Sequence, residues 1–216
     1  MRTPWILLGA LFLSGCQASG LSWGRSDPDA GPWALGFVTP YLMGGWVEES
    51  ATVDVDGNFY RRIGSGWAAG GGKNGTELAR GWAVKGGGTE RNVRDAKLPV
   101  RIYVRWQSVV EPQTYQGWIE IPESARQVMR AALRKDCQQF PETASILKIA
   151  SVMLGLAPGG VVQIWVLDEC MHPVKVARGQ AEIEPKGPDL GRSGYPPMQE
   201  ASKRYIEQYG IPYGSW

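Results

Sequence analysis

A single histidine, His172, stands in 216 residues, which excludes any metal centre built from two or three imidazoles. The pair Cys170-x-His172 is too small a donor set for zinc. No Gly-x-Ser-x-Gly elbow occurs, so the nucleophile of the common acyl-hydrolase fold is missing. Two glycine clusters, Gly70-Gly71-Gly72 and Gly86-Gly87-Gly88, lack the Lys-Ser/Thr ending of a phosphate loop and read as loops around a strand at 78–84. Charge of one sign is also lacking: 23 Lys and Arg face 21 Asp and Glu, and no basic run marks a nucleic-acid face. Past the first residues, no apolar run approaches the roughly 20 residues of a membrane-spanning helix. Glu48 and Glu49 are neighbours on an expected strand and should point to opposite faces, which disfavours a paired-carboxylate centre. The run Asp54-Val55-Asp56-Gly57-Asn58 places its glycine wrongly for an EF-hand loop and reads as a turn. These absences leave no catalytic set, no metal site and no cofactor, so the chain reads as a non-enzymatic protein.

What is present begins at the amino terminus. Arg2, the short apolar run Trp5 to Leu13 and the sequence Leu13-Ser14-Gly15-Cys16 look like a secretory signal closed by a bacterial lipobox. Residues 1–15 are therefore expected to be a cleaved lipoprotein signal peptide. Cys16 is the expected lipidation site, carrying several acyl chains because one chain alone binds a membrane only marginally. Residues 16–32, small, polar and rich in Gly and Pro, form the expected flexible tether. Residues 33–216 form the expected single β-rich domain. Gln17 in place of an aspartate favours the outer membrane over the inner, with the body facing the periplasm. Of three cysteines, lipidation leaves Cys137 and Cys170, an even pair for a disulfide in an oxidising compartment.

With 29 glycines, 15 prolines and 10 tryptophans, the body has the composition of short strands joined by many turns. Trp33 to Val38 reads as a first strand. Gly45 to Val55 and Phe59 to Ile63 read as a hairpin turning at Asp56-Gly57. Leu98 to Ser108 alternates Val100, Ile102, Val104 and Trp106 against Arg101, Tyr103, Arg105 and Gln107, the mark of a half-buried strand whose second face is wet or in contact with something. Thr114 to Ile121 returns beside it. Ile146 to Leu156 and Val161 to Leu167 form a hairpin around Ala157-Pro158-Gly159-Gly160, and Val174 to Ile183 adds a strand. Helices are expected from Pro122 to about Asp136 and from Met198 to Tyr209. The fold class is α+β: a predominantly antiparallel sheet of roughly seven to nine strands, open to folding over as a sandwich, with two peripheral helices.

Candidate contacts are few. Trp67 and Trp82 lie in the glycine-rich region, where loops commonly carry binding. Arg126, Arg130 and Arg134, at helical spacing, form a basic stripe that is either a solvated face or a contact for an acidic partner.

Trp33 to Val38 with Tyr41 and Trp46, Leu98-Pro99 leading to Val104-Arg105-Trp106-Gln107-Ser108, Tyr115, Ile121-Pro122, Gly155-Leu156-Ala157-Pro158-Gly159-Gly160 with Val162 and Trp165, and the closing Tyr209-Gly210-Ile211-Pro212-Tyr213-Gly214-Ser215-Trp216 resemble a family of proteobacterial lipoproteins of unknown function. Some lipoproteins of this kind are similar to immunity proteins encoded beside phospholipase effectors of the type VI secretion system. That resemblance implies a membrane-anchored protein whose partner is a secreted lipase, which it binds and neutralises in the periplasm. The alternative is a structural or assembly lipoprotein of the outer membrane that contacts peptidoglycan, polysaccharide or an envelope protein.

Overall fold

The structure, a computed structural model, describes residues 27–70, 80–84, 90–139 and 148–216. The expected signal peptide, the expected lipidation site Cys16 and residues 17–26 lie outside the described residues. In chain order the strands are β1 (Trp33–Thr39), β2 (Gly45–Asp54), β3 (Phe59–Arg61), β4 (Gly66–Trp67), β5 (Ala69–Gly70), β6 (Arg91–Val93), β7 (Pro99–Ser108) and β8 (Gln113–Glu120). Helix α1 (Glu123–Arg134) follows, then β9 (Ala150–Ala157), β10 (Val161–Leu167), β11 (Pro173–Gln180), β12 (Glu182–Ile183) and helix α2 (Glu200–Tyr209).

These strands form two six-stranded sheets. The first runs β11-β10-β9-β1-β5, with β6 also on β1; the second runs β12-β8-β7-β2-β3, with β4 also on β2. The α+β class holds, with more strands than expected because several span only two or three residues. Pairing is antiparallel except where β1 meets β9 and β5, both parallel. The inner faces share one buried cluster, in which Trp33, Leu35, Val152 and Ile164 of the first sheet join Ile102, Val104, Trp106 and Ile119 of the second. Burial of each such side chain contributes roughly 1.5–3 kcal/mol.

Strand β7 alternates as its sequence requires, with Ile102, Val104 and Trp106 in this core. Strand β9 is buried at every position. Its outer side is covered by Trp82 and Val84, which pack on Val38, Met153, Trp165 and Leu167. This double cover explains why β9 reads as an unbroken apolar run. It also corrects the expected strand at 78–84, because the described part, 80–84, is an irregular segment lying across the sheet.

Between the β11 and β12 registers the chain changes sheets at Ala181. Strand β11 pairs β10 and β12 pairs β8, and the Ala181 N–H donates to the Gly160 carbonyl. Helix α1 starts after Pro122 and carries Glu123 in its first turn and Arg134 in its last, which suits the helix dipole. Its Ala125 and Met129 are fully buried in the main core. Just past its end, Cys137 is bonded to Cys170, with Cα atoms 4.8 Å apart, tying the helix to the turn after β10. Helix α2 contributes Tyr205 to a second cluster with Met43, Val110 and Trp216.

The expected tether needs a correction at its end. Lys97 Nζ holds Asp27 at 2.5 Å and Asp56 at 2.7 Å, Arg130 holds Asp29 at 2.7 Å, and the Asp29 carbonyl accepts the Leu98 N–H. From Asp27 onward the segment is therefore part of the folded body, because its two carboxylates meet fixed cations.

Candidate partner-binding surface

The outer face of the second sheet is assembled by register alone. Tyr103 lies opposite Trp118 on β8 and opposite Ala51 on β2, while Arg101 lies opposite Val53, which in turn faces Phe59. Because side chains alternate along each strand, Phe59, Arg101, Tyr103 and Trp118 share the side away from the core. Phe59 is 55% exposed and Trp118 40% exposed. The Trp118 ring stands 6.1 Å from Phe59 and 5.5 Å from Tyr103, and the Arg101 guanidinium lies 4.7 Å from its centroid. That is a cation–π contact on an aromatic cluster open to solvent. Tyr103 donates to Gln116 Oε1 at 2.8 Å, and burial pushes its phenol above the usual range, so it stays a neutral donor.

One end of this face is fixed by a buried polar cluster. Adjacent strand residues should diverge, yet Glu48 and Glu49 both reach Arg105, at 2.7 and 3.4 Å. The cause is an irregularity in the β2–β7 ladder between Val47 and Glu49, which is a bulge that turns Glu48 to its neighbour's side. The expectation of opposite faces is thereby overturned. Glu48 Oε1 also accepts Gln107 Nε2 and the Asp189 N–H, each at 2.7 Å. The loop carrying Asp189 is left-handed at Asp189, φ 47°, and at Leu190, φ 57°, the second a value that a bulky apolar residue seldom adopts. The loop is pinned on Glu48; Arg105 and Gln107 are buried, Tyr103 is half-buried, and Arg101 and Trp118 are exposed.

The residues singled out from sequence fall elsewhere. Trp67 is 55% exposed, packs edge-on against Trp46 at 5.5 Å and borders a separate cavity of about 320 Å³ with Tyr41, Leu42 and Val110. Trp82 is half-buried and packs edge-on against Trp165 at 5.1 Å. The arginine stripe is not a free surface. Arg126 donates to Glu123 and to the Pro99 and Ile121 carbonyls, and Arg130 bonds both Asp29 and Glu123. Only Arg134 of the three is exposed. The aromatic surface itself had one sequence signal, the polar second face of β7.

Among the described residues, one group of His, Cys, Asp and Glu side chains is close enough to hold a metal: Asp168, Cys170 and His172. Its sulfur is taken by the disulfide, and Asp168 Oδ1 accepts the Cys170 and His172 N–H groups at 2.8 Å each. This is turn chemistry rather than a ligand set. A second polar centre, Glu111 Oε1, accepts the hydroxyls of Tyr115 at 3.1 Å and Tyr213 at 2.8 Å and the Gly159 N–H at 2.9 Å. Burial, followed by the Glu111 charge at Tyr115 and by the hydrogen bond to Glu111 at Tyr213, raises both phenols, Tyr213 to about 12. The cluster ties Tyr213 to the 158–160 turn.

Fold and surface together define an α+β protein of two stacked sheets with an open aromatic face. A family model described as a protein of unknown function, DUF2931, matches residues 24–214, and the chain belongs to that family. No curated protein matches the chain, and no solved structure matches it.

Proposed function

We propose that this protein is an envelope lipoprotein, anchored through Cys16 and facing the periplasm, that binds and neutralises a secreted antibacterial effector, a type VI lipase. One observation carries the binding role: Phe59, Tyr103, Trp118 and Arg101 form an exposed aromatic and cationic cluster on a rigid sheet. Aromatic residues and arginine dominate the energetics of protein interfaces. A sheet whose far side is a packed core loses little conformational freedom on docking. Neutralisation of this kind needs no catalytic group, only coverage of the effector's active-site mouth or of its lid.

The test is rescue of cells that express the effector encoded beside this gene, directed to their own periplasm. Wild-type protein should restore growth, Trp118→Ala with Phe59→Ala should fail at wild-type abundance, and Cys16→Ser should protect poorly. Absence of rescue, with no complex between the two purified proteins, refutes the proposal.

The second reading is an outer-membrane component that binds polysaccharide or peptidoglycan. It is favoured by the partly exposed Trp118 ring, an aromatic surface of the kind that sugars pack against. Deleting the gene separates the two: the structural role entails detergent sensitivity in cells grown alone, whereas immunity entails harm only beside toxin-producing neighbours.

A further inference from the structure

We infer that the edges of the two sheets form a second recognition site, an arginine-lined concavity that takes an acidic segment of a protein partner. Strands β3 and β6 are edge strands of different sheets, and the chain following each supplies an arginine, Arg62 after β3 and Arg94 after β6. Arg91, on β6, shares a side of its strand with buried Val93 and so faces the gap between the sheets. Arg62, Arg91 and Arg94 line a concavity of about 510 Å³. It shares Arg62 and Arg94 with a neighbouring one of about 450 Å³ that extends to Phe59. The cationic hollow is thus continuous with the aromatic surface.

The placement of charge distinguishes these arginines from others in the chain. Arg61, Lys97, Arg105, Arg126 and Arg130 each have a carboxylate partner. Arg62, Arg91 and Arg94 have none among the described residues, although all three are exposed. Arg62 is also held at φ 56°, a costly conformation for a residue with a long side chain. Three unpaired guanidinium groups around one hollow form a fork set suited to bidentate binding of carboxylates.

The surroundings favour a protein over a bilayer or a nucleic acid. Those targets present extended negative charge and call for a broad surface of one sign. Here the hollow is lined by only a few arginines among uncharged residues, and the whole chain carries only +2. A compact positive hollow beside an aromatic cluster fits an acidic segment with apolar side chains at its flank. This inference deepens the proposed function and rests on it in one respect, that the partner is a protein.

The test is direct titration of the purified mature protein with a fluorescein-labelled peptide that alternates glutamate and leucine, followed by anisotropy at low and high salt. The same peptide with glutamine for glutamate, and phosphatidylglycerol vesicles, serve as comparison probes. The expected result is binding of the glutamate peptide that weakens with salt, falls about tenfold or more in R62E/R94E, falls less in R62K/R94K and is unchanged in R134E. Circular dichroism and melting temperature guard against unfolding of the variants. No binding of the glutamate peptide by the wild type, equal binding by R62E/R94E, equal binding of the glutamine peptide, or a preference for vesicles overturns it. Loss of peptide binding with effector rescue intact sinks this site alone; rescue failing with peptide binding intact sinks the effector reading alone.

Discussion

Glu48→Ala is the sharpest perturbation of the candidate surface, because that carboxylate joins three segments of the chain. Its side chain is 6% exposed and that of Arg105 10%, so their contact is only weakly screened by solvent. Removing one member of a buried pair leaves the other charge uncompensated, at a cost of about 3–5 kcal/mol. Two further donors, Gln107 Nε2 and the Asp189 N–H, lose their acceptor as well. Glu49 remains 3.4 Å from Arg105 and offsets part of the penalty, which places the expected loss near the lower end, about 3 kcal/mol. For a domain of this size that corresponds to a fall in melting temperature of about 6–12 °C. The assay is thermal and urea unfolding of the disulfide-intact protein, with Glu48→Gln and the triple change Glu48→Met, Arg105→Leu and Gln107→Leu run beside it. Glu48→Gln should lose less, since one oxygen still accepts. The triple variant should regain most of the loss, because an apolar replacement removes the desolvation penalty along with the charge. A Glu48→Ala loss below about 1 kcal/mol would refute the reasoning, as would a triple variant weaker than the single one.

Three further outcomes follow from local geometry. Gly160→Ala should cost more than about 2 kcal/mol, since φ is 76° and a Cβ would lie 2.7 Å from the Ala181 carbonyl oxygen and 2.9 Å from the Tyr115 ring; Gly57→Ala, at φ 83° with nothing within 4 Å, should cost only about 1 kcal/mol, and chemical denaturation compares them. Replacing Cys137 and Cys170 by serine should lower stability by about 2–5 kcal/mol, measured as the shift in urea midpoint without reductant. Burial pushes the Asp54 carboxyl up, but donation from the N–H groups of Asn58, Lys97 and Asp56 and from the Asn58 side chain outweighs it and holds the pKa below its ordinary 3.8. The stabilisation is therefore complete above about pH 4 and is lost as pH falls through the folded value; Asp54→Asn should flatten the acid limb of a stability–pH curve, and an unchanged limb counts against the role.

How far the sequence carried the structure depends on the range of the forces involved. Strand β7, the β9–β10 hairpin and α1 are legible because their signals are local: alternation, a Pro-Gly-Gly turn, and apolar residues at helical spacing after a proline. The Cys137–Cys170 disulfide is the pair expected once Cys16 is set aside. Misreadings begin where a residue's partner is remote. Arg130 looks like part of a solvated stripe until its partner Asp29, 101 residues away, closes on it. Glu48 looks isolated from Glu49 until a bulge, set by the pairing of β2 with β7, turns both toward Arg105.

The aromatic surface takes this reasoning one step further. Phe59, Tyr103 and Trp118 come from three strands, and no spacing along the chain announces that they meet. Tyr103 and Trp118 are opposite partners in one ladder, while Phe59 reaches Trp118 across two intervening strands, so the cluster depends on every register between them. A one-residue slip of β8 would carry Trp118 to the core side and bring buried Ile119 outward. The core that fixes those registers therefore also fixes the open face. A binding surface built this way is as rigid as the fold beneath it, and its chemistry becomes visible only once the sheets are assembled.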